Sequence, residues 1–158
     1  MPVTGLQTAR WLALLVPAGL VGGALIGQYQ FGLAPCEMCH WQRWPHYAAI
    51  VVALVGLAVA PSALQRVLTT LAALLIAASG AIGLFHAGVE YGWWQGLTQC
   101  ASVGNGSLED ILNTPLTRCD VAPWDLFGIS LAGFNGILSL SAAGVILALL
   151  ARARVVGE

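Results

Sequence analysis

Four cysteines are the residues of this sequence best suited to chemistry. Cys36 and Cys39 form a C-x-x-C motif, and Cys100 and Cys119 stand further along the chain. Gln42 and Arg43 follow Cys39 closely, and His86 precedes Glu90 by four residues. Three chemistries compete for the cysteines. Two structural disulfides would pin loops, but a C-x-x-C bridge closes so small a loop that its entropic gain is slight. Cys36-Glu37-Met38-Cys39-His40 also matches the C-x-x-C-H pattern of covalent haem attachment. A porphyrin would then sit beside Trp41 and Trp44, and Cys100 and Cys119 would have no role. The third chemistry is a thiol–disulfide relay. The thiolate is the attacking species in exchange, and a cysteine near a helix N-terminus and a cation has a lowered pKa. Cys39 and Arg43 share a helix face if a helix begins early, and the positive end of its dipole would lie at the same place. Two exchangeable pairs suggest electrons moving from one pair to the other.

The elements that must position these residues are membrane spans. The chain has 158 residues, is 58% hydrophobic and 8% charged, and its six basic residues are all arginine. A soluble domain carries roughly 25% charged residues. With a net charge of −1 there is no basic patch to bring nucleic acid. Stretches at about 11–28, 44–60, 67–86 and 129–150 carry no Asp, Glu, Lys or Arg and are about long enough to cross a bilayer. Each must be helical, since lipid satisfies no backbone hydrogen bond. The expectation is an all-α membrane protein, 1–158 as one domain. Four helices form an antiparallel bundle, and the chain acts as a monomer. The first apolar run is too long for a cleaved leader and no clean A-x-A site follows it. Pro17 is expected to kink the first span. Gly19, Gly22, Gly23, Gly80, Gly83 and Gly136 are expected to let helices approach closely.

Arginine sets the orientation. Arg10, Arg66, Arg152 and Arg154 mark the cytoplasmic side, so both termini lie there, while Arg43 and Arg118 lie opposite. The outer side then holds a loop of about 29–43 and a longer one of about 87–128, which together contain all four cysteines. Disulfides persist on that side of a membrane. Trp41, Trp44, Trp93, Trp94 and Trp124 flank these loops and read as an interfacial belt. Asn105-Gly106 reads as a turn, and Ser107-Leu108-Glu109-Asp110 as a capping box opening a short surface helix in the second loop.

With these residues in view, the chain resembles the DsbB family, bacterial inner-membrane enzymes that reoxidise the periplasmic thiol oxidant DsbA. Pro35-Cys36-Glu37-Met38-Cys39 followed by Gln42-Arg43 is similar to the family's first-loop signature. Cys119-Asp120, Pro123-Trp124 and Phe127-Gly128 resemble the exit from its second loop. The resemblance implies that reduced DsbA-like protein attacks Cys100, that the freed Cys119 turns on Cys36, and that Cys39 becomes a thiolate facing bound quinone, ubiquinone or menaquinone. It implies that Arg43 holds the quinone and stabilises the thiolate. His86 would hydrogen-bond the quinone or carry a proton, and Gln42 would support the site. No resident metal is expected, and His46 is read as packing. The Cys100–Cys119 interval is short beside the family's best-known form, which leaves room for a specialised partner. Two rivals remain. One is a four-span scaffold whose loop disulfides shape a binding surface. The other is a vitamin-K-epoxide-reductase-like enzyme, disfavoured because the C-x-x-C lies between the first two spans.

Overall fold

A computed structural model of the chain describes residues 5–59, 63–97 and 118–156, the side chains of 154–156 excepted. Four helices dominate: α1 Gly5–Gln30, α2 Glu37–Ala58, α3 Ala63–Glu90 and α4 Leu131–Val156. α1, α3 and residues Leu131–Ala153 of α4 are long and apolar enough to cross a membrane. α2 does not stand out in the same way. Its first three turns carry Glu37, His40, Gln42, Arg43 and His46, which shorten its apolar part. α1 runs through Pro17 without interruption, the proline buried on its inner face.

The helices form a ring in chain order. α2 packs on α1 and α3, and α4 packs on α3 and closes back on α1. Neighbours are antiparallel, as their polar ties show. Near the start of α1, Arg10 Nη2 donates to Leu57 O at the end of α2 (3.3 Å). Gln65 Nε2, near the start of α3, donates to Gly56 O (3.1 Å) and Val59 O (2.9 Å). These two side chains satisfy carbonyls that the last turn of α2 leaves without helical partners. The core at this end is small and aliphatic: Ala9, Ala13, Ala49, Ala53, Ala72, Ala73, Ile76, Ala143, Ile146 and Leu150.

Small residues do bring α3 and α4 together. A Cβ added at Gly83 would stand 2.9 Å from Ala132 O, and one at Gly80 would stand 2.9 Å from the Ser139 side chain. The expectation for α1 needs correction. Gly19, Gly22 and Gly23 meet nothing within 4 Å, so they leave space rather than fill a helix interface.

Two further corrections concern the end of the bundle where α2 begins. α2 begins at Glu37, well before Trp44, so the C-x-x-C sits at its N-terminus and the connecting loop is shorter than 29–43. Cys36 is the N-cap, its Sγ accepting from Cys39 N at 3.2 Å. The fold is also not wholly helical. A two-residue ladder pairs β1 Asp125–Leu126 with β2 Ile129–Ser130 in antiparallel register. Phe127 and Gly128 turn it with φ of 53° and 77°, the positive pair that a tight hairpin requires. The expected surface helix at 107–112 lies outside the described residues.

Candidate functional site

The half of the bundle that carries the C-x-x-C is built around polar side chains that the helices bury. α2 presents Cys39, Gln42, Arg43 and His46 along one inward face, at the spacing of successive turns. The two sulfurs of the C-x-x-C lie 2.9 Å apart. Cys36 is 5% exposed and belongs to a buried cluster with Met38, Val89 and Cys119, edged by Cys39, Trp41 and Phe85. Cys36 and Cys119 therefore share one buried cluster at this end of the bundle, although they come from different loops. Cys100 lies outside the described residues.

The two thiols of the motif are not equivalent. The hydrogen bond from Cys36 Sγ holds the Cys39 thiol below the ordinary thiol range, aided by the Arg43 charge and opposed by burial and by Glu90. The same bond, with burial, pushes the Cys36 thiol up. Cys39 precedes the apolar stretch of α2, and the helix N-terminus adds a favourable dipole for its thiolate.

His86, 1% exposed near the end of α3, ties the loops to the helices. Gln42 Nε2 donates to its Nδ1 at 2.8 Å, which makes Nε2 the protonated ring nitrogen. That nitrogen faces Cys119 O at 3.1 Å and Cys36 Sγ at 3.6 Å, and it stands 3.8 Å from Glu90 Oε1. Glu90 Oε2 accepts from Ser130 Oγ. Gln42 continues inward, its Oε1 accepting from Asn135 Nδ2 (2.9 Å). Asn135 Oδ1 accepts from Ser139 Oγ (3.0 Å) and faces His46 Nε2 (2.9 Å). Ser79 Oγ donates to Gln42 O (2.7 Å). Arg43 donates across to α1, to Gln28 Oε1 (2.6 Å) and Ala24 O (3.4 Å).

Two cavities meet at this constellation. The outer one, about 540 Å³, is lined by Cys36, Cys39, His86, Glu90 and Arg118 among others. The inner one, about 300 Å³, is bounded by α1, α2 and the start of α4, with Gly19, Gly23, Cys39, Arg43, Phe134 and Asn135 in its walls. Its volume is at the lower end for small-molecule sites, and a mostly apolar wall with a few convergent polar groups is the usual design of one. Among the described cysteines, Cys39 alone lines both cavities.

Six of the seven residues singled out from the sequence (Cys36, Cys39, Cys119, Gln42, Arg43 and His86) thus converge. Sequence reasoning missed Gln28, Ser79, Asn135 and Ser139, and read His46 as packing where it also joins the hydrogen-bond network. A lone polar residue in an apolar span is the signal that could have found Asn135. Trp94, expected in an interfacial belt, folds back on α3. Its Nε1 donates to Phe85 O (2.9 Å) and its ring stacks on Phe85 with centroids 5.7 Å apart.

Comparison with known proteins gives a consistent answer. Residues 7–149 match the sequence model of the family described as "Disulfide bond formation protein DsbB". "Disulfide bond formation protein B" of Marinobacter nauticus is 32% identical over 147 residues, covering 83% of this chain and 85% of that protein. "Uncharacterized protein RP370" of Rickettsia prowazekii is 27% identical over 125 residues, covering 74% of this chain and 72% of its own. No solved structure is a significant match to the chain.

Proposed function

The chain belongs to the DsbB family of disulfide bond formation proteins, and on that premise we propose that it reoxidises a periplasmic DsbA-like dithiol protein and passes the electrons to a membrane quinone. All four helices, α2 included, cross the bacterial inner membrane. Both termini are cytoplasmic, and the cysteines lie on the periplasmic side. The observation that carries the reading is the position of Cys39, which opens on the outer cavity beside Cys36 and on the inner, mostly apolar one beside Arg43.

The exchange runs through the chain's own sulfurs. A thiolate of the partner attacks Cys100 Sγ and releases Cys119 as a thiolate. Cys119 then attacks Cys36, displacing Cys39 as the leaving thiolate. The partner's second thiol resolves its mixed disulfide with Cys100 and leaves oxidised. The shared buried cluster of Cys36 and Cys119 supports the second step. The lowered pKa of Cys39 suits it as the leaving group. Cys100 then attacks Cys119, which re-forms that pair and releases Cys36 as a thiolate. Cys36 and Cys39 are left as a dithiol whose closure to a disulfide must give up two electrons and two protons to an acceptor. Quinone bound in the inner cavity would supply the two-electron acceptor. Re-oxidising a partner near −120 mV requires an acceptor more oxidising still.

The inner cavity fits such a group. Gln42, Arg43, His46 and Asn135 place polar hydrogen-bonding groups on a wall that is otherwise Cys39, glycine and apolar side chains. Gln28 and Ala24 O hold Arg43 against α1, and His86 and Asn135 fix Gln42. The haem alternative fits poorly. His40, which the C-x-x-C-H pattern would make an iron ligand, is exposed, and Cys36 is held in a buried cluster with Met38, Val89 and Cys119.

The test is stoichiometric re-oxidation of a reduced thioredoxin-like protein by the purified chain, with ubiquinone and menaquinone compared. Turnover that needs quinone and all four cysteines is expected. A folded preparation that oxidises no dithiol with either quinone overturns the proposal in favour of a scaffold.

A further inference from the structure

The atoms gathered for exchange are also a ligand set. Cys36 Sγ, Cys39 Sγ and His86 Nε2 all lie within 4.8 Å of one another. Tetrahedral zinc holds thiolate sulfur at about 2.3 Å and imidazole nitrogen at about 2.0–2.1 Å. Those bond lengths place two sulfur ligands about 3.8 Å apart, and a sulfur and a nitrogen about 3.6 Å apart. Cys36 Sγ and His86 Nε2 are 3.6 Å apart, already at that spacing. The sulfurs, at 2.9 Å, must separate by about 0.9 Å. Glu90 Oε1 lies 3.8 Å from His86 Nε2, against about 3.4 Å for an oxygen and a nitrogen on one zinc. All four residues line the outer cavity, which has room for an ion and its water.

We propose that the dithiol form of this site captures a thiophilic d10 dication, Zn²⁺ or its heavier relative Cd²⁺, on Cys36, Cys39 and His86, with Glu90 as fourth ligand. No electrons move. Two thiol protons leave to solvent as two metal–thiolate bonds form. The imidazole proton shifts from Nε2 to Nδ1, so Gln42 must turn its amide and offer Oε1. That turn breaks the present Asn135–Gln42 contact, so capture in the outer cavity also disturbs the inner one. The bound ion occupies both sulfurs of the pair and holds His86 away from Cys119 O, its present partner at 3.1 Å. Capture is therefore a reversible block on the relay. It requires no reaction at Cys100 or Cys119, and the site does not depend on which acceptor drains the relay.

The full chain, purified in detergent and reduced with a phosphine, is titrated with Co²⁺ as a spectroscopic stand-in and with Zn²⁺ against a chromophoric chelator. One equivalent of Co²⁺ should give thiolate charge-transfer absorption and the intense d–d bands of a tetrahedral site, and Zn²⁺ should bleach both. Cys36→Ser should abolish the tetrahedral bands, and His86→Ala and Glu90→Gln should each weaken Zn²⁺ binding. The Cys100→Ser/Cys119→Ser double variant should bind as tightly as the parent. Oxidising Cys36 to Cys39 in that variant should remove binding, a comparison that no folding defect can mimic. Pale octahedral Co²⁺ spectra, or binding that survives Cys36→Ser and is lost in the double variant, would overturn the proposal. The re-oxidation assay, run separately with a chelator present, reads the relay without any metal.

Discussion

Replacing Arg43 should weaken the electron-accepting half of the reaction and leave the other half intact. Arg43 is only 9% exposed and lines the inner cavity. Two of its bonds, to Gln28 Oε1 and Ala24 O, hold the guanidinium on the cavity wall. The group can donate five N–H bonds in all. A lost charge-assisted contact costs about 1.5–3 kcal/mol, which is roughly 10- to 100-fold in an equilibrium constant. Arg43→Ala should therefore raise the KM for quinone by roughly 10- to 100-fold. Arg43→Lys keeps the charge and loses the planar fork, so it should fall between. Gln28→Leu removes only the positioning bond and should raise the same KM by up to about tenfold. The assay is steady-state re-oxidation of a reduced thioredoxin-like protein, with quinone and protein substrate varied independently in detergent. The KM for the protein substrate should stay unchanged in all three variants. An unaltered quinone KM in a folded Arg43→Ala protein, or an equal loss on both substrates, would refute the reasoning and leave Arg43 as an interfacial anchor.

The remaining predictions concern the sulfurs, the bundle and its orientation. Cys119→Ser should trap a mixed disulfide between Cys100 and the partner on a non-reducing gel, and Cys100→Ser should prevent it. As pH falls, the reduced Cys39 should keep its thiolate below the point where a free thiol loses it, because its pKa is lowered mainly by the hydrogen bond from Cys36. The pH midpoint of its alkylation, followed by mass spectrometry, should move up in Cys36→Ala. Gly83→Ala would bring a Cβ to 2.9 Å from Ala132 O and Asn135 Nδ2, and such overpacking costs about 1–3 kcal/mol; a lower Tm in detergent is expected. Reporter fusions after Arg154 and within 61–66 should read cytoplasmic and one near Gly104 periplasmic, whereas a periplasmic C-terminus would mean an odd number of spans.

The sequence revealed the chemistry more fully than it revealed the scaffold around that chemistry. Cysteine spacing and a single arginine one turn on were enough to bring Cys36, Cys39 and Arg43 into one hypothesis, because those signals are local. The early start of α2 was hidden by its cap: a cysteine sulfur stands where Ser, Thr, Asp or Asn usually marks the end. Asn135, Ser79 and Ser139 are polar residues in apolar runs, and each meets a partner on another helix, Asn135 with Ser79 and Ser139 with His46. Periodicity along one helix carries no information about which polar side chain on another will meet it. The glycines of α1 show the same limit. Gly19 and Gly80 are alike in sequence context, yet one borders a cavity and the other a tightly packed helix.

The glycine-faced wall of α1 has a consequence for how the acceptor arrives. Gly19 and Gly23 are exposed on a helix that is apolar along its length, and no heavy atom approaches within 4 Å of a Cβ built at either. A long-tailed quinone would then reach the inner cavity sideways, by diffusion within the plane of the bilayer, without passing through water. The concentration that governs turnover is in that case a surface density, the mole fraction of quinone among the surrounding lipid or detergent. Diluting a preparation with buffer should leave the rate per molecule unchanged. Diluting it with empty micelles, at the same total quinone, should slow it.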